Sequence, residues 1–586
     1  MRRNYLGLSC SYHKPSWALV DHQGAVRFAE ATDRYLQTPW AYGCVPDQLH
    51  RITPLIRKYA DAGIELVVAT SWKKPMAPGW LRPVGDLVAR GGGALGRAAA
   101  WTGLFYRWQR LSMEAAGRNV EARYLESEGW GGQVSRLRRR AYSHLRCHAA
   151  AACYSSPFRE AACAVLDGLG EGTFNAYYRY VDGGLDELAA PRLALGSLSL
   201  LYDVATHLAG FDPLRGEQAL LRDLAAHGTL EPRLYALLSE AIVVRGLGVQ
   251  LRLPLRRLDA FWDELRAFRP GDGAEPTAGA SVAFTALTVA QELILSVLGN
   301  LRRETGLSQL VFTGSCAADA VLCGRIVEKT GFSALHVGCA PTDEGNALGA
   351  AWLAYRDDHP AGPLGGLLPS GLGSCVSQEA LDNLTRHGRP PGLTTLDADE
   401  EIRRLADLLA DGKLVGWLHG AAELGARPLG HRVILADPRR GELRTRLAEE
   451  VKGRPSFRPF ACAVLDACGA EYFDPYLPSR YMESALSLRP AAATTLPTLA
   501  HPDGRCAVHS VFPDGAPRLW ELLQAFRSRT GVGLLLMTSL NASGRPAIAS
   551  VDQALGLYYT TALDALCIEG HLMVKDPRSG RGMRDA

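Results

Sequence analysis

No two of the thirteen cysteines form a Cys-x-x-Cys pair or a repeated spacing that would suggest a zinc module or a disulfide frame. Reduced thiols in a cytoplasm are the plain reading. No segment reaches the roughly 20 uninterrupted apolar residues of a membrane helix, so no membrane partner is expected. The basic start Met1-Arg-Arg-Asn4 is followed by His13, Lys14 and Pro15 where a signal peptide needs an apolar core, and no export signal is read. Charge of one sign is lacking too. The net charge is +3 with basic residues spread along the chain, which leaves no footprint for a nucleic-acid backbone. The one dense basic run, Arg136 to Arg140, reads as a solvated helix face.

What is present is a chain of 586 residues, 47% hydrophobic and 21% charged, too long for one core and ordinary for a globular enzyme of two large domains. The predicted fold class is α/β. Tyr5–Ser9, Trp17–Val20 and a third segment ending at Ala29 read as strands joined by turns. The pattern returns at Ala162–Leu166, an expected turn Asp167-Gly-Leu-Gly170, and Thr173–Tyr180. Two similar openings suggest a duplicated fold of the actin-like kind, in which backbone N–H groups at strand turns hold phosphates; Gly168, Gly170 and Gly314 are the glycines at such turns. Residues 80–135 show little periodicity and read as an insertion. Leu287–Leu301 reads as a buried helix and Leu310–Thr313 as a strand. Pro, Gly, Leu and Ser dominate His359 to Ser374, placing the boundary between a first domain, 1–358, and a second, 375–586. The second opens with a helix from Asp399 to Ala410 and a strand from Lys413 to Trp417. The last eleven residues read as a polar tail.

His144 and His148 lie four apart in an alanine-rich stretch, so a helix projects both from one face, where they can bind a divalent metal. Asp167 and Asp343 are the carboxylates expected to complete the set, and mixed imidazole and carboxylate donors suit iron first, then manganese or zinc. In the second domain, Arg427 and Arg432 flank a glycine-punctuated turn. Lys452, Arg454 and Arg458 fall within seven residues stiffened by Pro and Phe, a concentration of cations suited to phosphates. Ser539 and Asn541 add donors at the end of an apolar strand.

Taken together these segments resemble the carbamoyltransferase family of nodulation protein U and of the tobramycin and cephamycin O-carbamoyltransferases. The resemblance rests on Leu6-Gly-Leu-Ser-x-x-Tyr-His13, His144-x-x-x-His148, Asp167-Gly-x-Gly and Asp343-Glu-Gly-Asn-Ala-Leu-Gly-Ala-Ala in the first domain. In the second it rests on Glu423-x-Gly-x-Arg-x-Leu-Gly-x-Arg, Ile434-Leu-Ala-Asp-Pro-Arg, Phe457-Arg-Pro-Phe-Ala and Thr538-Ser-x-Asn541. It implies a duplicated actin-like (ASKHA) first domain and a threonylcarbamoyl-AMP synthase-like α/β second domain. The implied reaction makes carbamoyl adenylate from carbamoyl phosphate and ATP, with Mg for the ATP, and passes the carbamoyl group to a hydroxyl or amine of a small natural product, as in antibiotic biosynthesis. Mapped by motif, His144, Asp167 and Asp343 would hold the metal, with His148 a fourth ligand or a neighbour. His13 would act as general base, with Lys452 and Arg458 in catalysis. Gly168, Gly170, Gly314, Arg427, Arg432, Arg454, Ser539 and Asn541 would bind nucleotide and phosphates. A homodimer is left open.

The chain departs from the family pattern at Lys14 (family Asp), Ala219 (Lys), Arg222 (Gly), Asp319 (Asn), Ala507 (Arg) and Met537 (Asn). These departures keep two other readings in view: the same adenylate chemistry turned to another acyl or amide-forming transfer, and a non-catalytic scaffold relative.

Overall fold

The computed structural model describes residues 2–576 apart from 10, 12, 48–50, 62–63, 74–136, 172, 189–197, 214–215, 272, 276 and 543. The expected insertion at 80–135, and the tail beyond 576, lie outside the described residues.

Strands β1 (Arg3–Ser9), β2 (Ser16–Val20) and β3 (Val26–Ala31) form an antiparallel meander, and β4 (Glu65–Thr70) and β5 (Leu137–Ala141) add parallel to β1, giving the order β3-β2-β1-β4-β5. The second half repeats it. β6 (Glu160–Gly170), β7 (Thr173–Val181) and β8 (Gly184–Glu187) form a meander, and β11 (Gln309–Thr313) and β12 (Ala334–His336) extend it in parallel on the far side of β6. The intervening hairpin of β9 (Ile242–Arg245) and β10 (Gly248–Leu251) stands apart as a sheet of its own. Two sheets of identical order confirm the duplicated, actin-like α/β fold expected from the paired openings. β1, β2 and β4 are buried over nearly their whole length, as strands of a doubly covered sheet should be.

A third sheet of nine strands forms the C-terminal part. β13 (Thr394–Thr395), β14 (Val415–Leu418), β15 (Arg432–Ala436), β16 (Ala461–Leu465), β17 (Ser484–Ser487), β18 (Arg505–Val511), β19 (Leu534–Ser539), β20 (Ala565–Ile568) and β21 (His571–Val574) stand in the order β13-β21-β20-β14-β15-β19-β16-β18-β17. The Ala398–Ala410 and Pro517–Thr530 helices pack on each other beside it. Between β12 and β13, residues 359–374 contain no helix or strand. Leu368 and Leu372 of that stretch are nevertheless buried, in a core that runs from Tyr5 to Met573.

Two local readings are corrected. From Leu137 on, the basic run is a strand at the sheet's edge among the described residues, not a helix face: residues alternating along β5 place Arg138 against Glu65 (2.9 Å) and Arg140 against Asp358 (2.6 Å). Asp167-Gly-Leu-Gly170 is not a turn, because β6 continues through it and the chain reverses at Glu171, whose φ is 48°. The buried helix is longer than expected, Ala280–Thr305. Among the described residues it is the one helix long and apolar enough by length and composition to cross a membrane, and 67% of its most apolar window is buried inside the protein.

Candidate active site

Small residues bring the first site together. The Asn346–Asp358 helix wedges between β1 and the His144–Tyr154 helix: a Cβ on Gly7 would lie 1.7 Å from the Ala347 carbonyl oxygen, and one on Gly349 would lie 1.9 Å from that of Cys147. The alanine run 149–152 supplies the matching low relief on the facing helix. Backbones this close leave little freedom to the residues at the helix starts. His144 and His148 sit on the first two turns of one helix, and Asp343 sits in the 3₁₀ turn leading into the other.

The two imidazoles, Asp167 and Asp343 converge as the resemblance implied. One ligand atom from each lies within 4.8 Å of all the others, and all four residues are buried. His144 Nε2 is 3.0 Å from Asp167 Oδ2 and 3.4 Å from Asp343 Oδ1. His148 Nε2 is 3.5 Å and 3.3 Å from the same atoms, yet it makes no hydrogen bond. Burial opposes a proton on His144, but hydrogen bonds to Asp167 and Asp343 outweigh it and push the imidazole up to about 10. His148 is also raised, burial again being overcome, by the charge of Asp167 first. Both carboxyls, despite burial, are held well below the usual carboxylate range: Asp167 chiefly by the charge of His148, Asp343 by those of His13 and His144. The set of two nitrogens and two carboxylate oxygens, with one ring nitrogen orphaned, fits a divalent cation.

Around this cluster stand residues that sequence reading missed. Ser315 donates to Asp167 Oδ1 from both its backbone N–H (2.9 Å) and its hydroxyl. Glu171, at the tip of the β6–β7 hairpin, accepts from the backbone N–H of His144 (3.2 Å), countering the open start of that helix. Ser9 donates to the Asp343 carbonyl (3.0 Å), and the Asn346 amide faces His144 Nδ1 at 3.3 Å. His13 lies 3.3 Å from Asp343 Oδ2, with 38% of its side chain exposed against 6% for the aspartate, and Trp40 and Tyr42 stand edge-on to its ring. His13 is therefore the surface-facing member of the group.

The predicted phosphate glycines divide. Gly314, at φ 93°, lies where a Cβ would come within 2.3 Å of the Leu166 carbonyl oxygen, so its lack of a side chain lets β11 run into the Ser315 turn beside Asp167. Gly168 and Gly170 lie within β6 rather than in a turn.

In the C-terminal part, the Lys452 ammonium donates to the carbonyls of Ser539 (2.7 Å) and Asn541 (2.9 Å) and to the Asn541 side chain, to which the Ser539 hydroxyl also donates (2.8 Å). Burial, then Arg454 and Arg458, hold Lys452 well below the ordinary lysine range. Burial and Arg458 bring Arg454 down to about 10. Arg458 crosses to the actin-like part, its Nε 2.6 Å from Asp223 Oδ2. Arg427 and Arg432 both hold backbone carbonyls. Arg427 donates to the carbonyls of Ala317 and Tyr481, and Arg432 to those of Ser374, His419, Gly420 and His431. The Glu423 carboxylate accepts from the N–H groups of Leu429, His431 and Arg432 and faces Arg34 at 3.4 Å. The Glu423–Arg432 motif forms a turn held by these bonds.

Among the departures, Asp319 caps the Ala320–Thr330 helix through Val321 and Leu322 (both 3.1 Å) and accepts from Tyr202 and Gln291 (both 2.9 Å). All four partners donate, two to each oxygen, which suits a carboxylate, whereas an amide could accept at one end only. Met537 is fully buried between Leu435 and Ala461, a core position rather than a ligand edge. Lys14 reaches Thr342 (2.6 Å) and Glu344 (3.3 Å).

Residues 131–352 match the family described as Carbamoyltransferase N-terminus, and residues 406–575 match Carbamoyltransferase C-terminus. Uncharacterized protein sll1178 of Synechocystis sp. is 28% identical over 75% of this chain and 76% of its own length. The 3'-hydroxymethylcephem-O-carbamoyltransferase of Amycolatopsis lactamdurans is 32% identical over 40% of this chain and 43% of its own, so the chain spans under half of that enzyme. Among solved structures, component A of the Acidaminococcus fermentans (R)-2-hydroxyglutaryl-CoA dehydratase aligns with 61% of this chain and 99% of its own, at 12% identity and a TM-score of 0.32. Both parts of the chain therefore match an enzyme class defined by carbamoyl transfer. The chain belongs to the carbamoyltransferase family.

Proposed function

We propose that this protein is an ATP-dependent O-carbamoyltransferase working through carbamoyl adenylate. Water cleaves the P–O bond of carbamoyl phosphate to give carbamate and inorganic phosphate, and the carbamate oxygen then attacks the α-phosphorus of ATP as pyrophosphate leaves. The acceptor hydroxyl next attacks the carbamoyl carbon, the acyl–phosphate C–O bond breaks, and AMP departs. The observation that carries the reading is the buried convergence of His144, His148, Asp167 and Asp343 next to half-exposed His13.

In the C-terminal part, Lys452, Arg454 and Arg458 crowd positive charge in a partly dry setting, where an arriving phosphate would relieve their mutual repulsion. Ser539 and Asn541 hold Lys452 in place. In the actin-like part, Asp343 Oδ2 lies 3.3 Å from His13 Nδ1 without a hydrogen bond, and its charge would favour the His13 imidazole taking the proton from the acceptor hydroxyl. His144, Asp167 and Asp343, with His148, would hold a divalent cation, iron first and manganese or zinc otherwise, whose chemistry is to polarise the carbamoyl carbonyl or to hold the adenylate phosphate. Gly314 lets the Ser315 turn approach Asp167 and keep that carboxylate aimed into the cluster. The domain division expected at 359–374 would place the two half-reactions on separate parts of the chain.

The test is to incubate the metal-loaded protein with carbamoyl phosphate and ATP and measure pyrophosphate. Release that requires carbamoyl phosphate supports the reading. Release that requires a different acid points instead to adenylate chemistry turned to another acyl transfer, and no release from folded protein overturns both.

A further inference from the structure

We infer that Asn346 is a positioning residue whose side-chain oxygen selects the ring nitrogen with which His144 binds a metal. The inference rests on the metal reading above and concerns a residue outside the ligand set. Asn346 is fully buried and opens its helix directly after Gly345, where a Cβ would lie 2.2 Å from the Ala340 carbonyl oxygen. Its backbone is therefore fixed. Its amide nitrogen lies 3.3 Å from His144 Nδ1, while its Oδ1 is buried without a hydrogen-bond partner. On the other edge of the same ring, Nε2 faces Asp167 and Asp343.

A neutral imidazole carries one proton on one nitrogen. For Nε2 to offer its lone pair to a metal between the two carboxylates, that proton must sit on Nδ1, and a buried Nδ1–H requires an acceptor. Asn346 is the side chain that meets Nδ1. With Nδ2 toward the ring, the amide favours the opposite tautomer, whose Nε2–H points at Asp167. A half-turn of the amide about its terminal bond exchanges the two ends and sets the orphaned Oδ1 against Nδ1–H, freeing Nε2 as a ligand. The two amide orientations thus correspond to two tautomers, and only one of them binds a cation through Nε2.

The test uses the full chain and Mn2+ alone, with the free ion counted by electron paramagnetic resonance. Asn346→Leu keeps the volume and removes both polar atoms, and its Mn2+ dissociation constant should rise about 10–100-fold, the usual consequence of losing a hydrogen bond behind a metal-bound histidine. Asn346→Asp keeps the acceptor and loses the donor, and it should bind Mn2+ at least as tightly as the wild type. An Asp variant weakened as much as the Leu variant would overturn the inference, since the donor would then be the useful end. So would a Leu variant that binds like the wild type. If the Leu variant does not fold, the Asp variant decides alone. A wild type that binds neither Mn2+ nor Fe2+ removes the metal reading itself and this inference with it.

Discussion

The Arg458 guanidinium meets the Asp223 carboxylate at 2.6 Å, and the charge of Asp223 also acts on neighbouring Arg454. Lys452 and Arg454 are already destabilised by burial and by Arg458. A phosphate bound at this cluster, as proposed, would compete with Asp223 for Arg458. Asp223→Asn should therefore lower the KM for carbamoyl phosphate about 3–10-fold, by leaving the cations without their resident partner. Pyrophosphate release measured against carbamoyl phosphate concentration checks this, and an unchanged or higher KM contradicts it.

Metal binding should release protons. His144 holds its proton up to about pH 10 against Asp167 and Asp343, and a ligand nitrogen must give its proton up. The folded-state value lies above the ordinary histidine value. In the metal-free protein the His144 contribution to stability is therefore full below pH ~6.5 and is lost as pH rises through about 10. Metal affinity moves the other way, rising about tenfold per pH unit below that value for each proton displaced. Calorimetry of Mn2+ binding at pH 7.5, repeated in buffers of different ionisation enthalpy, should count at least one proton released per ion. No dependence on the buffer would show that the imidazoles are already neutral.

Replacing His144 by Ala should abolish carbamoyl transfer while leaving pyrophosphate release largely intact, because His144 contacts Asp167 and Asp343 but none of Lys452, Ser539 or Asn541. Parallel assays of the two products check the division, and equal loss of both contradicts it.

Gly349→Ala should be among the most damaging single-methyl changes in the chain. The added Cβ would lie 1.9 Å from the Cys147 carbonyl oxygen, a backbone atom of the helix that carries both histidines. Separating those helices costs about 1–3 kcal/mol or more in strain and moves Asp343 relative to His144. A lower melting temperature together with weaker Mn2+ binding is expected, whereas a variant with wild-type values of both would show that the helices yield at no cost to the site.

The four metal-ligand candidates were legible because each lies in a short ordered motif, and the repeated strand openings disclosed the duplication. Asn346, Ser315 and Glu171 were not read as site residues although Asn346 stands inside a quoted motif, because each acts through a partner distant in sequence: His144, Asp167 and the His144 backbone. The same cause misled the reading of Arg138 and Arg140, whose acidic partners Glu65 and Asp358 lie far away along the chain. Asp167-Gly-Leu-Gly170 looked like a turn from its glycines, but pairing with β7 carries the strand on to the reversal at Glu171. That Arg432 donates to the carbonyls of Ser374 and His419 was equally hidden, because these partners lie distant along the chain.

Lys14 gives the sharpest test of a departure from the family pattern. Its ammonium lies 3.3 Å from Glu344 with 12% and 4% of the two side chains exposed, and 4.7 Å above the Trp40 ring. Glu344 adjoins Asp343 in the same 3₁₀ turn, so the pair holds the loop that carries a proposed ligand. Restoring the family residue by Lys14→Asp would set a carboxylate beside a buried carboxylate, and breaking such a pair typically costs about 3–5 kcal/mol. Lower stability and weaker Mn2+ binding should follow, although the change brings the sequence closer to the family. The charge-swapped double variant Lys14→Asp with Glu344→Lys should recover at least half of the lost melting temperature, because the attraction is restored with its ends exchanged. If Lys14→Asp alone melts like the wild type, Lys14 and Glu344 do not hold the Asp343 turn.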